Sequence, residues 1–294
     1  MNEAFSVLPD SPLVAFCVVF PTRVSPPRFV RRHGSSMLTS SDHLAAQSPS
    51  LKLRTADRLP SYELKFLATL EQSERLASLL GEHLLVDPHA GPNGTYHITT
   101  LYCDTPERHV FRRRGRFGLM KFRLRQYGDG PELFLERKLK RGTVVRKLRT
   151  SIPLDQIGRF GERPDDNWEG DRFHSQLRRC RMSPVCLVEY DRQAWYGVLP
   201  EGTIRATIDR NLTGAPVDLW SLRRPDDQRP FLVNYGICEF KFRGVMPDLV
   251  RRLIESLDLA PVGVSKYRNC VRTWELAGAD PASEPGSSPE PFED

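Results

Sequence analysis

Three consecutive segments of the chain alternate charged and apolar side chains with a period of two, over 119–127, 132–140 and 143–152. Residues two apart in a β-strand share a face, so Lys121, Arg123 and Arg125 lie on one side of the first segment and Phe122 lies on the other. Short glycine-containing connections separate the segments, as in antiparallel hairpins. The stretch therefore predicts an antiparallel meander with one cationic and one apolar face.

The same alternation recurs in four further segments, over 62–66, 185–196, 203–209 and 235–243. Glu63 and Lys65 share a face in the first of these segments, so acidic and basic side chains stand next to each other. The other charged or polar residues that the pattern places on such faces are Glu136, Lys138, Tyr190, Arg192, Arg205, Thr207, Asp209, Glu239 and Lys241.

Helical periodicity or capping signals predict helices over 70–85, 154–160, 171–180, 247–257 and 265–276. Thr69 and Gln72 have the spacing of a capping box at the start of the first helix. Ser265 is the expected N-cap of the last helix. Strands that dominate the order, with helices among them, are typical of an α+β fold.

These elements predict a mostly antiparallel sheet with helices packed outside, which is either an open sheet or a closed antiparallel β-barrel. An open sheet with one solvated face would show the same alternation in any single strand. Repetition on successive strands favours the closed form, because the apolar faces need helices to cover them. The cationic faces would then line a tunnel, in which like charges require a polyanion or interleaved carboxylates.

The charge of the chain is informative through its distribution. The 294 residues carry a net charge of only +6, whereas residues 108–149 contain fifteen Lys or Arg and three acidic residues. Six cysteines without a CxxC pair make a zinc site improbable and are expected to be reduced thiols in the cytoplasm.

Composition divides the chain into a core and two ends. Residues 1–56 are rich in Pro and Ser, and we expect a disordered leader in which Met37 is an alternative translation start. The only long apolar run of this leader, over 13–20, is too short to span a membrane. Residues 277–294 predict a disordered acidic tail, and 57–276 the folded domain.

The side chains predicted on the cationic faces suit phosphate chemistry. Arginine offers a planar fork for phosphate oxygens and lysine a compact charge. Glu63, Glu136 and Glu239 would supply the oxygen ligands that Mg²⁺ or Mn²⁺ prefers. Ser265 and Lys266 at a helix N-terminus add backbone N–H groups that favour an anion. The sequence contains no P-loop motif.

These residues together resemble a family. The pieces YELKF at 62–66, KFRLRQYG at 121–128, FLERK at 134–138, VEYDRQAW at 188–195, TIRATIDRNL at 203–212, CEFKF at 238–242 and SKY at 265–267 occur in the order seen in VTC domains. VTC domains are the polyphosphate polymerase relatives of the triphosphate tunnel metalloenzymes, the CYTH-like superfamily. The resemblance covers about residues 58–276. Where the triphosphatase branch has its first ExExK glutamate, this chain has Ser61, which favours the polymerase-like branch.

The resemblance implies a barrel of triphosphate tunnel type and a transfer reaction. ATP would donate its γ-phosphoryl group to inorganic polyphosphate, or to pyrophosphate as primer, with Mn²⁺ or Mg²⁺. No specific nucleic acid and no membrane span are expected. The implied catalytic residues are Lys65, Arg123, Arg125, Lys138, Arg192 and Arg205; the implied substrate-binding residues are Tyr190, Lys241, Ser265 and Lys266; and the implied metal ligands are Glu239, Glu136 and Glu63. Arg146 or Lys147 would match one further tunnel lysine.

Two other functions remain open at this point. An enzyme of the same fold could hydrolyse triphosphate or tripolyphosphate, with water as the acceptor. A non-catalytic polyanion or nucleic-acid binder would need only the basic region 108–149. The aromatic residues of the sequence are not spaced as a stacking platform among the bases, which argues against a nucleic-acid binder.

Overall fold

A computed structural model of the chain describes residues 59–91, 93–141 and 144–276. The predicted leader and acidic tail lie outside the described residues, so both stay predictions. Within the described part, no helix is long and apolar enough to cross a lipid bilayer.

In the part of the chain that the structure describes, ten antiparallel strands form one sheet. The path of hydrogen-bonded neighbours is β1-β10-β8-β7-β3-β4-β5-β6, while β2 pairs with β7 and β9 with β8. The strands are β1 (Ser61–Thr69), β2 (Leu85–Val86), β3 (Thr95–Asp104), β4 (Met120–Tyr127), β5 (Glu132–Arg141), β6 (Val144–Pro153), β7 (Ser183–Leu199), β8 (Gly202–Pro216), β9 (Arg229–Pro230) and β10 (Tyr235–Arg243).

Within the described residues the chain has four α-helices, of which the first three cover the outer side of this sheet. They are α1 (Leu70–His83), α2 (Asp171–Arg179), α3 (Asp248–Ser256) and α4 (Lys266–Thr273), with 3₁₀ helices at Gly115–Leu119 and Leu154–Gly161. The capping box predicted for α1 is present, because Thr69 accepts from the Gln72 N–H and Gln72 accepts from the Thr69 N–H. The fold is therefore α+β, as predicted.

The apolar sides of the strands bury against these helices in two clusters. In one cluster, Phe66 and Phe240 pack with Leu76 of α1 and Leu253 of α3. The other cluster includes Phe122 and Leu124 together with Phe173 and Leu177 of α2 and Tyr267 and Val271 of α4. Complete burial of one such leucine contributes about 2 kcal/mol. The apolar strand faces thus hold α1, α2 and α3 outside. Helix α4 was not predicted correctly, because it packs at one end of the opposite side of the sheet, where the ring centre of Tyr267 lies 5.5 Å from that of Tyr102, the register neighbour of Arg123.

The predicted closed barrel is not confirmed. In the described residues no backbone pairing joins β1 to β6, so the sheet has two edges. The edge of β1 is used by another segment instead, since the Val262 N–H donates to the Lys65 carbonyl at 2.8 Å and Pro261 forms a bridge with Phe66. The two edges nevertheless approach each other, because Lys147 Nζ on β6 lies 3.9 Å from Glu63 Oε2 on β1. The sheet is strongly curled but not closed by hydrogen bonds.

Strand β8 continues past Asp209, where the sequence predicts its end, because a bulge interrupts the alternation there. The pairing with β7 shifts between Glu189↔Thr213 and Asp191↔Arg210, which inserts an extra residue in β8. Asn211 takes a positive φ of 54° at this place, a conformation that asparagine tolerates better than most residues. The alternation stops at the bulge, and the strand continues beyond it to Pro216.

Candidate active site

The charged faces of the strands combine into one concave surface, which we call the inner face. Antiparallel register places Lys65 opposite Glu239 and Arg123 opposite Glu136, so the strand faces predicted from alternation are the observed ones. The contact between Glu63 and Lys147 at the two ends of the strand path shows that this face is the inside of the curl. Its basic residues are Lys65, Lys121, Arg123, Arg125, Lys138, Lys147, Arg149, Arg192, Arg205 and Lys241, joined by Lys266 from α4, and its acidic residues are Glu63, Glu136, Asp209 and Glu239.

Two glutamates and two lysines of β1 and β10 form one cluster on this face. Lys65 Nζ lies 2.9 Å from Glu63 Oε1 and also donates to Glu239, which binds Lys241 as well. Burial and the charge of Glu239 raise the pKa of Glu63, but Lys65 and Lys241 outweigh them and lower it to about 2. Burial likewise opposes ionisation of Glu239, whose pKa Lys241 and Lys65 nevertheless hold well below its usual range. Both carboxylates are therefore ionised at neutral pH.

Glu136 stands among three arginines rather than with the other glutamates. Its carboxylate lies 2.5 Å from Arg123 Nε, 3.6 Å from Arg149 Nε and 3.8 Å from Arg125 Nη1. Burial favours the neutral acid, yet the guanidinium groups, that of Arg123 first, lower the pKa of Glu136 to about 2. Arg125 is itself buried and donates through Nε to Thr100 Oγ1 at 3.2 Å. Glu136 thus sets the positions of the arginines.

On another part of the inner face, Asp209 binds the side chains of Arg192 and Lys266. The Arg192 guanidinium donates to both carboxylate oxygens, at 2.5 and 2.8 Å, and Lys266 Nζ donates at 2.5 Å. Burial would raise the pKa of Asp209, but Arg192 and Lys266 lower it far below the usual range. Sequence analysis placed Asp209 on the correct face without assigning it a role. Ser265, a predicted substrate contact, uses its hydroxyl to cap α4 at the Arg268 N–H.

A buried hydroxyl faces this group of cations. Tyr190 is fully buried, and its hydroxyl has no hydrogen-bond partner in the described residues. Lys266 Nζ lies 4.4 Å and Arg192 Cζ 5.5 Å from the centre of its ring. Burial acts to raise the pKa of Tyr190, and the charges of Arg125, Arg192 and Lys266 lower it overall. Since buried polar groups are nearly always paired, this hydroxyl and the equally unmatched hydroxyl of Thr207 on the inner face are exceptions among the described residues.

Three lysines lie side by side on β4, β5 and β6. Lys138 is opposite both Lys121 and Lys147 in register, and we call these residues the lysine row. Burial lowers the pKa of Lys138 to about 7, with help from its basic neighbours, although Glu63 opposes the shift. Burial, Lys65 and Arg123 lower the pKa of Lys121 to about 8. Because a bound anion favours the protonated form of a lysine, we expect this row to take up protons on anion binding.

Register separates the two candidates for the further tunnel lysine, whose role stays a prediction. Lys147 is opposite Lys138 on the inner face, whereas Arg146 is opposite Leu139 on the apolar side. The sequence alone left this open, because the segment at 143–152 alternates less regularly than its neighbours.

Arg205 lies at one end of the inner face. Its guanidinium donates to Asp87 Oδ2 at 2.7 Å and to the Tyr96 hydroxyl at 3.1 Å. A cavity of about 180 Å³ opens here between Ser61, Arg205 and Lys241. Arg205 remains about half exposed, so its charge is accessible from this cavity.

The predicted set of three metal-ligating glutamates is not assembled. Among the described residues, no group of three or more His, Cys, Asp or Glu side chains converges as a metal site. Glu63 and Glu239 meet at Lys65, whereas Glu136 is engaged by arginines. Two carboxylates still fit a divalent ion, because Mg²⁺ is commonly held by one or two carboxylates together with substrate phosphates.

Comparison with known proteins gives one family match. The model of the VTC domain family matches residues 61–275. Among curated proteins, no sequence matches the chain.

Several solved structures are similar at low scores. A candidate adenylate cyclase from Bacillus halodurans aligns with a TM-score of 0.43 at 11% identity, covering 72% of this chain and 95% of that one. A candidate adenylyl cyclase from Hippeastrum with a dominant triphosphatase activity aligns with a TM-score of 0.41 at 12% identity, covering 75% of this chain and 98% of that one. A protein from Pyrococcus horikoshii aligns with a TM-score of 0.40 at 12% identity, covering 73% of this chain and 99% of that one. Scores at this level indicate nothing about the function of this chain.

Proposed function

Because the chain belongs to the VTC domain family, we propose that it is a phosphotransferase that moves the γ-phosphoryl group of ATP onto a growing polyphosphate chain. The reaction would take place on the inner face, with a divalent metal ion. Pyrophosphate or a short polyphosphate would serve as the first acceptor.

One observation carries this proposal beyond the family match. The unpaired hydroxyl of Tyr190 lies where Arg125, Arg192 and Lys266 lower its pKa. A buried donor beside three cations suits a group that carries several negative oxygens, and phosphate is such a group. Asp209 offsets only part of this positive charge, so an apolar or cationic ligand would leave the remainder without a counter-charge.

Phosphoryl transfer needs positioning and neutralisation of charge more than side-chain chemistry. In the proposed step, a terminal phosphate oxygen of the acceptor chain forms a bond to the γ-phosphorus, and the bond from that phosphorus to the bridging β,γ-oxygen breaks. ADP leaves with the bonding pair. No proton needs to be removed from the acceptor, because its phosphate is already ionised.

The cations of the inner face would have different roles in this reaction. Arg125, Arg192 and Lys266 would hold the triphosphate beside Tyr190, with Arg192 and Lys266 fixed by Asp209. The other implied catalytic residues would neutralise charge on the transferring and entering phosphates, namely Lys65, Arg123, Lys138 and Arg205. Lys241 would assist at the cavity beside Arg205.

Glu63 and Glu239 are the residues that would hold a divalent ion. Both stay ionised at neutral pH, and each binds Lys65, so an ion would take up part of the negative charge that Lys65 now neutralises. When bound, Mn²⁺ or Mg²⁺ supplies positive charge to the phosphate oxygens.

The direct test is incubation with ATP and Mn²⁺, followed by a gel stained for polyphosphate and an assay of free phosphate. We expect long chains from the wild type, almost none from Arg123→Ala, and a normal yield from Arg252→Ala, which removes an exposed arginine of α3. Release of free phosphate without chains would identify a triphosphate hydrolase instead. Binding of polyphosphate and RNA without consumption of ATP would identify a polyanion binder.

A further inference from the structure

Three aromatic side chains lie next to each other on β3, β4 and β5 at one edge of the inner face. The ring centres of Tyr96 and Tyr127 are 6.0 Å apart, and those of Tyr127 and Phe134 are 5.3 Å apart. Sequence analysis found no stacking platform, because these residues are far apart along the chain and only strand pairing brings them together.

Arg149 of β6 packs against this group. Its Cζ is 3.9 Å from the centre of the Phe134 ring and 5.4 Å from that of Tyr127. Glu136 Oε1, 3.6 Å from Arg149 Nε, fixes the guanidinium from one end. The Arg149 side chain is nonetheless 48% exposed, so part of it remains accessible to a ligand. We call Tyr127, Phe134 and Arg149 the aromatic shelf.

The aromatic shelf adjoins the cations that we assign to the triphosphate. Phe134 is opposite Arg125 in register, and Arg125 Cζ lies 5.9 Å from the centre of the Tyr127 ring. A nucleotide whose phosphates bind at Arg125 would thus place its sugar and base beside these rings. Planar bases stack on aromatic rings and on arginine planes with little dependence on base identity.

We propose that the aromatic shelf stacks the nucleobase of the nucleotide donor while its phosphates bind the inner face. This inference rests on the proposed function and adds the base-binding part of the same site. It also predicts that donors with different bases are used with similar efficiency, whereas an inorganic donor gains nothing from the shelf.

The experiment compares two ligands by calorimetry, the β,γ-imido analogue of ATP and inorganic tripolyphosphate, which has no base. For Phe134→Leu and Arg149→Lys, we expect the affinity ratio of the nucleotide to tripolyphosphate to fall about fivefold or more relative to wild type. Arg149→Lys keeps the charge and removes only the plane. Phe134→Tyr keeps the ring and should preserve the ratio, as should Arg252→Lys on α3.

The outcomes separate this inference from the proposed function. An unchanged ratio in Phe134→Leu and Arg149→Lys, with tripolyphosphate still bound, would overturn the stacking and leave the phosphate site intact. An equal loss of both ligands in Arg149→Lys would make Arg149 a phosphate contact and overturn the stacking as well. A wild type that binds neither ligand would overturn both proposals.

Discussion

Lys266 Nζ lies 2.5 Å from Asp209 Oδ2, although the two residues are 57 positions apart in the chain. Asp209 accepts two further bonds from Arg192, and its side chain is only 2% exposed. One carboxylate therefore links α4 to β7 and β8 and holds two cations beside Tyr190. Fold and proposed site depend on the same side chain.

Substitution of Asp209 by Asn should destabilise the protein and weaken phosphate binding. The amide keeps the shape but leaves Arg192 and Lys266 without their counter-charge, and loss of one partner of a buried ion pair costs about 3 kcal/mol. Urea unfolding should show this loss as a lower midpoint. Asp248→Asn removes an acid whose ion pair with Arg251 is exposed, and its midpoint should stay at the wild-type value. Equal midpoints for the two variants would refute the role of Asp209.

The two groups of glutamates should differ in metal binding. Glu239→Gln removes one of the two carboxylates that we assign to the ion and should weaken Mn²⁺ binding at least tenfold, as measured by electron paramagnetic resonance. Glu136→Gln should leave Mn²⁺ affinity nearly unchanged, because that carboxylate is engaged by Arg123 and its neighbours. Similar losses in both variants would mean that Glu136 is a ligand after all.

Phosphate binding should take up protons near neutral pH. Burial and its basic neighbours lower the pKa of Lys138 to about 7, so part of the protein carries a neutral Lys138 at that pH. A bound polyanion favours the charged form and raises the pKa again. Calorimetry of tripolyphosphate binding in two buffers of different ionisation enthalpy should reveal this uptake. Lys138→Arg, which stays charged, should reduce it, and a wild type without proton uptake would contradict the expectation.

A histidine outside the inner face should make stability depend on pH. A hydrogen bond with Glu189, helped by Asp191 and opposed by burial, raises the pKa of His97 from 6.5 to about 9. Because the folded pKa is the higher one, the stabilisation is complete below about pH 6.5 and is lost as the pH rises through about 9. His97→Gln should therefore lower the thermal unfolding midpoint in mildly acidic buffer and have no effect above about pH 9. A deficit that persists at alkaline pH would indicate a packing defect instead.

Alternation was sufficient to predict the faces of the strands. Lys121, Arg123 and Arg125 lie on the side that period two assigns to them, and the register opposite Glu136 and Lys138 agrees. The capping box at Thr69 was equally local, since four consecutive residues contain all of its groups. Features that depend only on neighbours two to four positions away can be predicted directly from the sequence.

Features that depend on pairing between distant strands were not predictable in this way. The role of Asp209 requires the end of α4, and the aromatic shelf requires three neighbouring strands. The occupant of the free edge of β1 is also distant in sequence, since the Val262 N–H donates to the Lys65 carbonyl there. The end of the predicted strand at Asp209 was wrong because the bulge at Asn211 interrupts the alternation.

The seam between β1 and β6 has a mechanical consequence for a protein proposed to handle polymers. In the described residues, this seam is crossed by the contact between Glu63 and Lys147, 3.9 Å long, and by no backbone ladder. Parting these two side chains would break no strand pair, so a lateral opening at this place would leave the hydrogen bonds of the sheet intact. A long product could then slip out sideways through the wall, and need not be threaded from end to end.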